Sequence, residues 1–175
     1  FARMLARRFN GLYGETFIEP KEIILKEGAR IMGLDDPMKK MSKSAENSNN
    51  YIALTDEPSL IKEKIKRAVT DSGNEIIYDE EKKPGISNLL EIYSLLSDKP
   101  IKQLEKEYQN KNYGEFKNDL AGVVIAFLTP FQKEFNKLKE NPEKVKKILK
   151  NGAEKANIIA EKTLKEVKDK IGLNY

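Results

Sequence analysis

At 175 residues, with 39% hydrophobic and 34% charged side chains, the chain is long enough for one good core or two small units and is expected to be a soluble, globular fold with a heavily charged surface. No stretch approaches the roughly 18 consecutive apolar residues of a membrane span, no signal peptide is visible, and the expected compartment is the cytoplasm. Cysteine and histidine are both absent, which excludes disulfides, thiolate and imidazole metal sites, thiol nucleophiles and Ser-His-Asp machinery. The net charge of +4 is spread evenly: residues 1–50 hold 9 basic and 7 acidic side chains, and residues 51–175 hold 23 and 21. No basic tail marks a nucleic-acid arm.

Residues 1–14 read as the end of an amphipathic helix, with Leu5, Ala6 and Phe9 on one face and Asn10-Gly11 or Gly14 as its stop. Residue 1 is Phe and the chain opens inside that helical pattern, so a missing upstream part is expected. Ile23-Ile24-Leu25 and Ala29-Arg30-Ile31-Met32 each fit a brief strand. Helix followed by two strands is the texture of the edge of an α/β domain. From Asp35 to Asn50 periodicity disappears among turn formers, a loop of about 16 residues, and loops that long in compact domains are commonly functional. Tyr51 to Leu54 allows a short extended piece.

From there the chain reads as helical. Thr55-Asp56-Glu57-Pro58 is a helix start with capping oxygens and an early proline, and Ile61, Ile65, Ala68 and Val69 share one face. A second helix carries Ile86, Leu89, Leu90, Tyr93 and Leu96, and a third carries Ile101, Leu104 and Tyr108 after Asp98-Lys99-Pro100. A fourth is apolar almost all round from Leu120 to Leu128 and should form the buried spine of a bundle, kinked or ended by Pro130. The last starts near Asn141-Pro142 with Val145, Leu149, Ala156, Ile159, Thr163, Val167 and Ile171 on one stripe. Its small residues Gly152, Ala153, Ala156 and Ala160 suggest close helix packing. The predicted fold is therefore mainly α: residues 1–50 as the edge of a Rossmann-like α/β domain, then a helical domain over residues 51–175.

Within the long loop, Lys40-Met41-Ser42-Lys43-Ser44 sets two ammonium groups and two hydroxyls on a flexible segment, chemistry suited to a phosphate chain. No Gly-x-x-x-x-Gly-Lys loop occurs, so this is not the P-loop solution. Taken with Gly28-Ala29-Arg30-Ile31-Met32-Gly33-Leu34-Asp35-Asp36-Pro37 just before it, the run resembles the second signature of class I aminoacyl-tRNA synthetases, in their bacterial tryptophan-specific branch. The resemblance continues through Ile65 to Ser72, through Lys83-Pro84-Gly85-Ile86-Ser87-Asn88-Leu89-Leu90, and into Gly152-Ala153-Glu154-Lys155-Ala156. It covers essentially the whole chain. One departure stands after the motif, where the family often has Asp-Pro and this chain has Ala45-Glu46-Asn47.

The resemblance implies ATP-dependent activation of L-tryptophan and its transfer to tRNA(Trp). Lys40 and Lys43 are then the catalytic cations, with Mg²⁺ sharing the load. Ser42 and Ser44 would donate to the phosphates or fix the loop. Met41 would lie against the adenosine, and Ile31 would line the adenine pocket. Lys39 reads as solvated. Ser97, Asp98 and Lys99 are candidates to approach the anticodon, with Asp98 alternatively an N-cap of the third helix. The family's other nucleotide signature does not occur here, so the chain is expected to hold part of an active site and to be inactive alone. A homodimer is expected for the whole protein. The alternatives are a tyrosine-specific relative and a non-enzymatic helical tRNA-binding module.

Overall fold

The computed structural model describes residues 1–24 and 28–173. Among these residues are six α-helices: α1 Ala2–Tyr13, α2 Pro58–Arg67, α3 Pro84–Ser97, α4 Ile101–Glu107, α5 Tyr113–Lys139 and α6 Pro142–Ile171, with a short 3₁₀ turn at Ser48–Asn50. The chain divides into two compact units, one of Phe1–Ile24 with Lys137–Tyr175 and one of Leu25–Asn136.

The unit Leu25–Asn136 holds the core. Ile61 and Ile65 of α2, Ile86, Leu89, Leu90 and Tyr93 of α3, and Leu104 of α4 meet Phe116, Leu120, Ala121, Val124 and Leu128 of α5, all buried. Three aromatic rings interlock there: Tyr108 meets Phe116 edge-on at 5.0 Å between centroids, and Tyr93 lies 5.8 Å from Tyr108. Their hydroxyls hydrogen-bond at 3.0 Å, and Tyr108 donates to Asp119 Oδ2 at 2.8 Å. Burial, then the neighbouring Tyr93 and Asp119, push the Tyr108 hydroxyl pKa up. A buried ion pair ties α2 to the preceding segment. Lys64 Nζ donates to Asp56 Oδ2 at 2.7 Å and to the Tyr51 carbonyl at 2.9 Å. The end of α2 is capped by Lys117 of α5, which donates to the Ala68 carbonyl at 2.7 Å. That side chain satisfies a helix-terminal acceptor, and desolvation lowers the pKa of its ammonium.

In the other unit, Gly14 ends α1 with φ 85°, a conformation that glycine adopts without a Cβ clash. Asn10 then fixes the following turn by accepting from Thr16 N and Phe17 N and donating to the Phe17 carbonyl. Asn141 caps α6 by accepting from Lys144 N, ahead of Pro142 in the first turn. Lys170 of α6 donates to the Glu15 carbonyl at 2.6 Å and to Thr16 Oγ1 at 2.7 Å.

Several expectations are corrected. Neither proposed strand forms among the described residues: Ile23 and Ile24 are exposed, Leu25 lies outside those residues, and Met32 makes only an isolated antiparallel bridge to Lys40. A β-rich run becomes a strand only beside a neighbouring backbone, and propensity supplies none. Val69 leaves the buried face because α2 has ended at Arg67. Asp56 and Thr55 do not cap α2 with their side chains; Asp56 is drawn to Lys64 and the Ala53 N–H instead. Pro130 neither ends nor interrupts α5, which continues to Lys139. Only one face of that helix is buried, with Gly122, Ala126 and Phe127 exposed. The small residues of α6 are not buried: Gly152, Ala153, Ala156 and Ala160 are exposed, and a Cβ at Gly152 would meet no described atom within 4 Å.

Candidate functional site

Residues 31–41 form a two-armed turn whose first arm is hydrogen-bonded along both edges. On one edge Gly33 N donates to the Lys39 carbonyl at 2.8 Å and Met41 N donates to the Ile31 carbonyl at 3.0 Å. On the other, Asn88 of α3 replaces a strand: its Oδ1 accepts from Met32 N at 2.8 Å and its Nδ2 donates to the Met32 carbonyl at 2.9 Å. Asp36 and Pro37 make the turn, with Lys39 N donating to the Asp36 carbonyl and Met38 N to Asp36 Oδ1. Lys39 Nζ sits 3.0 Å from Asp36 Oδ2. This hydrogen bond, then the Met38 N–H, hold the Asp36 carboxyl below its usual range. Lys39 is thereby committed to a local partner.

Lys40 and Lys43 are exposed, and among the described residues neither pairs with a carboxylate. Between them Met41 is half-buried and packs on the hydrophobic core, anchoring the run while the lysines project from it. Ser42 and Ser44 hydroxyls lie 3.0 Å apart, Ser44 N donates to Ser42 Oγ at 3.3 Å, and Ala45 N donates to the Ser42 carbonyl. The two hydroxyls therefore share one small turn. Ile31 is half-buried at the foot of the first arm.

Behind the run lies a set of polar residues drawn from the non-periodic stretch between Asp35 and Asn50. Buried Asn50 accepts from Ser42 N at 2.9 Å through Oδ1 and donates to Asp35 Oδ1 at 2.5 Å through Nδ2. Asn47 Nδ2 donates to Asp35 Oδ2 at 2.6 Å, and its Oδ1 caps the 3₁₀ turn by accepting from Asn49 N. The exit turn after the motif is thus held by Asn47. Gly33 permits the arrangement, because a Cβ there would collide with the Asn50 amide. Backbone bonds carry the fixation inward: Leu34 N donates to the Asn50 carbonyl at 2.9 Å, and Val69 N to the Leu34 carbonyl at 2.7 Å. In the sequence Asn50 closes a polar Asn/Ser run and Asn88 sits in a helix, and neither identity reports burial. Asn88 stood within a block that resembles the family, the only signal available for it.

Ser97, Asp98 and Lys99 lie at the α3–α4 junction. Asp98 is the C-cap of α3 in the left-handed region (φ 55°), and Pro100 precedes α4, so Asp98 is no N-cap. Ser97 Oγ donates to the Tyr93 carbonyl, and Lys99 Nζ to Glu107 Oε2 at 2.6 Å. Asp98 and Lys99 line a cleft of about 600 Å³ with Tyr78, Glu80 and Glu91. A second cleft of about 410 Å³ borders the α3 side of the motif's first arm, with Arg30, Met32, Met38 and Asn88 in its wall. Tyr78 sits in both, its hydroxyl 2.6 Å from Glu80 and 2.8 Å from Glu91. Burial and then those carboxylates raise its pKa.

Comparison with known proteins agrees with this architecture. The model of the tRNA synthetases class I (W and Y) matches residues 1–129. The tryptophan–tRNA ligase of Bacillus subtilis is 51% identical over 171 residues, covering 98% of this chain and 52% of the relative. That of Listeria monocytogenes is 48% identical over 171 residues, covering 98% and 51%. Among solved structures, the tryptophanyl-tRNA synthetase of Mycoplasma pneumoniae superposes with a TM-score of 0.89 at 32% identity, covering 98% of this chain and 52% of that one. The Campylobacter jejuni enzyme, complexed with ADP and tryptophane, gives 0.68 at 33% with the same coverage. The chain spans about half the length of the curated relatives it matches. With a family model matching most of its length and relatives near half identity, this chain belongs to the class I tRNA synthetases of the tryptophan and tyrosine group.

Proposed function

We propose that this chain supplies the Lys40–Ser44 phosphate loop and the helical part of a tryptophan–tRNA ligase, which activates L-tryptophan with ATP and transfers it to tRNA(Trp). The observation that carries the proposal is the pair of exposed ammonium groups of Lys40 and Lys43, without a carboxylate partner among the described residues, on a backbone held between them by Met41 N on the Ile31 carbonyl and Ser42 N on Asn50. In the first step a tryptophan carboxylate oxygen bonds to the α-phosphorus while the bond to the bridging oxygen breaks. Pyrophosphate leaves with that electron pair. Negative charge grows on the leaving oxygens, and Lys40 and Lys43 stabilise it without exchanging a proton. Ser42 and Ser44 orient the phosphates, Ile31 lines the adenine pocket, and Met41 lies between that pocket and the core. Residues 1–50 serve as the edge of the catalytic domain and residues 51–175 as the anticodon-side domain, with Ser97, Asp98 and Lys99 towards tRNA. Among the described residues no group of three carboxylates is placed to hold a metal. In this reading a Mg²⁺ ion would come with the nucleotide's own phosphates, and no step here depends on it. The whole protein is read as a cytoplasmic homodimer.

The test is tryptophan-dependent ATP–pyrophosphate exchange by the full-length protein. Lys43→Ala should slow exchange by about a hundredfold or more, the scale of losing one transition-state charge stabiliser, while tryptophan binding changes little. Equal loss of binding and rate would refute the transition-state role. Exchange stimulated by tyrosine but not tryptophan would reassign the substrate.

A further inference from the structure

Asn50 touches three separate parts of the loop at once. It receives the Ser42 N–H inside the motif, donates to Asp35 before it, and lies against the Gly33 backbone in the first arm. Asp35 in turn receives Asn47 after the motif, so its two oxygens bridge the exit turn to Asn50. The set, Asp35, Asn47 and Asn50, contains no cation. Its groups are consumed by one another and by the backbone that carries Lys40 and Lys43. The half-buried Ser42 amide is the point of contact, one residue from Lys43 and two from Lys40.

We propose that Asp35 and Asn50 are positioning residues for the adenylation step: their side-chain pair fixes the Ser42 peptide and thereby presets where Lys40 and Lys43 meet the phosphates. The inference rests on the reading of the loop given under Proposed function. A loop without this clamp still carries both lysines, but must be ordered during each turnover. The cost then falls on the rate of activation and not on tryptophan affinity, because near-attack geometry is what the clamp provides. The pair is also reciprocal. An amide and a carboxylate face each other, so exchanging them keeps one of each across the same gap, with an acceptor still facing the Ser42 N–H.

The experiment uses the full-length protein with Asn50→Ala, Asn50→Asp, and the double exchange Asp35→Asn with Asn50→Asp. Two quantities are read in each: amide hydrogen exchange at Ser42, and kcat and KM for tryptophan-dependent activation. Both single variants should speed Ser42 exchange, and Asn50→Asp should do so most, because it opposes two carboxylates. Each should lower kcat by roughly tenfold to a hundredfold, the scale of a small misplacement of catalytic groups, with the tryptophan KM held within about twofold. The double exchange should restore slow Ser42 exchange and most of kcat. Unchanged Ser42 exchange in the single variants, fast exchange with unchanged kcat, or no recovery in the double exchange would each overturn the proposal. A merely structural role would lower tryptophan binding along with kcat, which is also contrary to it. Lys43→Ala, run alongside, separates the two readings. If it slows activation while the Asn50 variants do not, only the positioning role fails. If it has no effect, the phosphate reading fails and this inference falls with it.

Discussion

In the unit Leu25–Asn136, α3 delivers Ile86, Leu89, Leu90 and Tyr93 into a core shared with α2, α4 and α5, whereas in the unit Phe1–Ile24 with Lys137–Tyr175, α6 has no buried residue in its 30. Both helices carry an apolar stripe. Ile159 and Leu149, in the middle of the stripe on α6, are 72% and 66% exposed. An amphipathic period states which side chains share a face. Whether that face is removed from water depends on elements that converge on it, and only removal yields the roughly 25 cal/mol per Å² of apolar burial. The contacts that hold the second unit are of another kind: Lys170 on Glu15 and Thr16, Arg7 on Glu19, and the Phe9 ring between Tyr13 and Phe17.

Three substitutions sharpen this contrast. Phe116→Ala removes a ring that is 0% exposed and in contact with Tyr93 and Tyr108; a loss of about 3–5 kcal/mol is expected from urea unfolding. A loss under about 1 kcal/mol would show that the core is looser than its burial implies. Next, Asp71 closes the segment between α2 and α3 onto α5, receiving Tyr113 at 2.8 Å, Lys83 at 3.3 Å and Gly73 N at 2.8 Å. Burial raises its pKa, but those hydrogen bonds outweigh it and hold the carboxyl below its ordinary 3.8. A carboxyl depressed on folding contributes stability above its unfolded pKa and loses it as pH falls through the folded one. Asp71→Asn should therefore cost about 1.5–3 kcal/mol at neutral pH and converge on the parent as pH drops below 3.8. Parallel curves through that window would discount the carboxylate. Smallest of all, Ile159→Ala on α6 should change stability by no more than about 0.5 kcal/mol. A core-sized loss there would mean that this face is covered after all.

Element type was legible wherever periodicity ran long. The helices arise in the stretches of helical apolar spacing, with Pro58 and Pro142 in first turns and Gly14 after α1, whereas α3 also takes in Pro84 and Gly85, which read as part of an irregular connection, and α5 begins at Tyr113, ahead of the apolar run from Leu120. Strand propensity at Ile23 and Ala29 misled because pairing is a long-range property. Asp98 misled because the same residue type serves as an N-cap and as a left-handed C-cap, and only the next residue's geometry chooses. At the candidate site the lysines and serines were legible as chemistry. Their supports were not: a buried asparagine that mimics backbone looks, in sequence, like any loop asparagine. Asn50 and Asn88 gain their roles from partners 8 and 56 residues away.

Asn88 has a consequence for alignment of the motif's first arm. Both main-chain polar groups of Met32 end on one amide, so the arm can dock against α3 at a single residue only. Sliding the arm by one position would offer that amide a neighbour's N–H and carbonyl pointing the opposite way, and would turn every side chain of the arm over. The bridge from Met32 to Lys40 passes this choice across the turn. A helix side chain thus serves as a registry mark, and it also occupies an edge that would otherwise be open to pairing with a second chain.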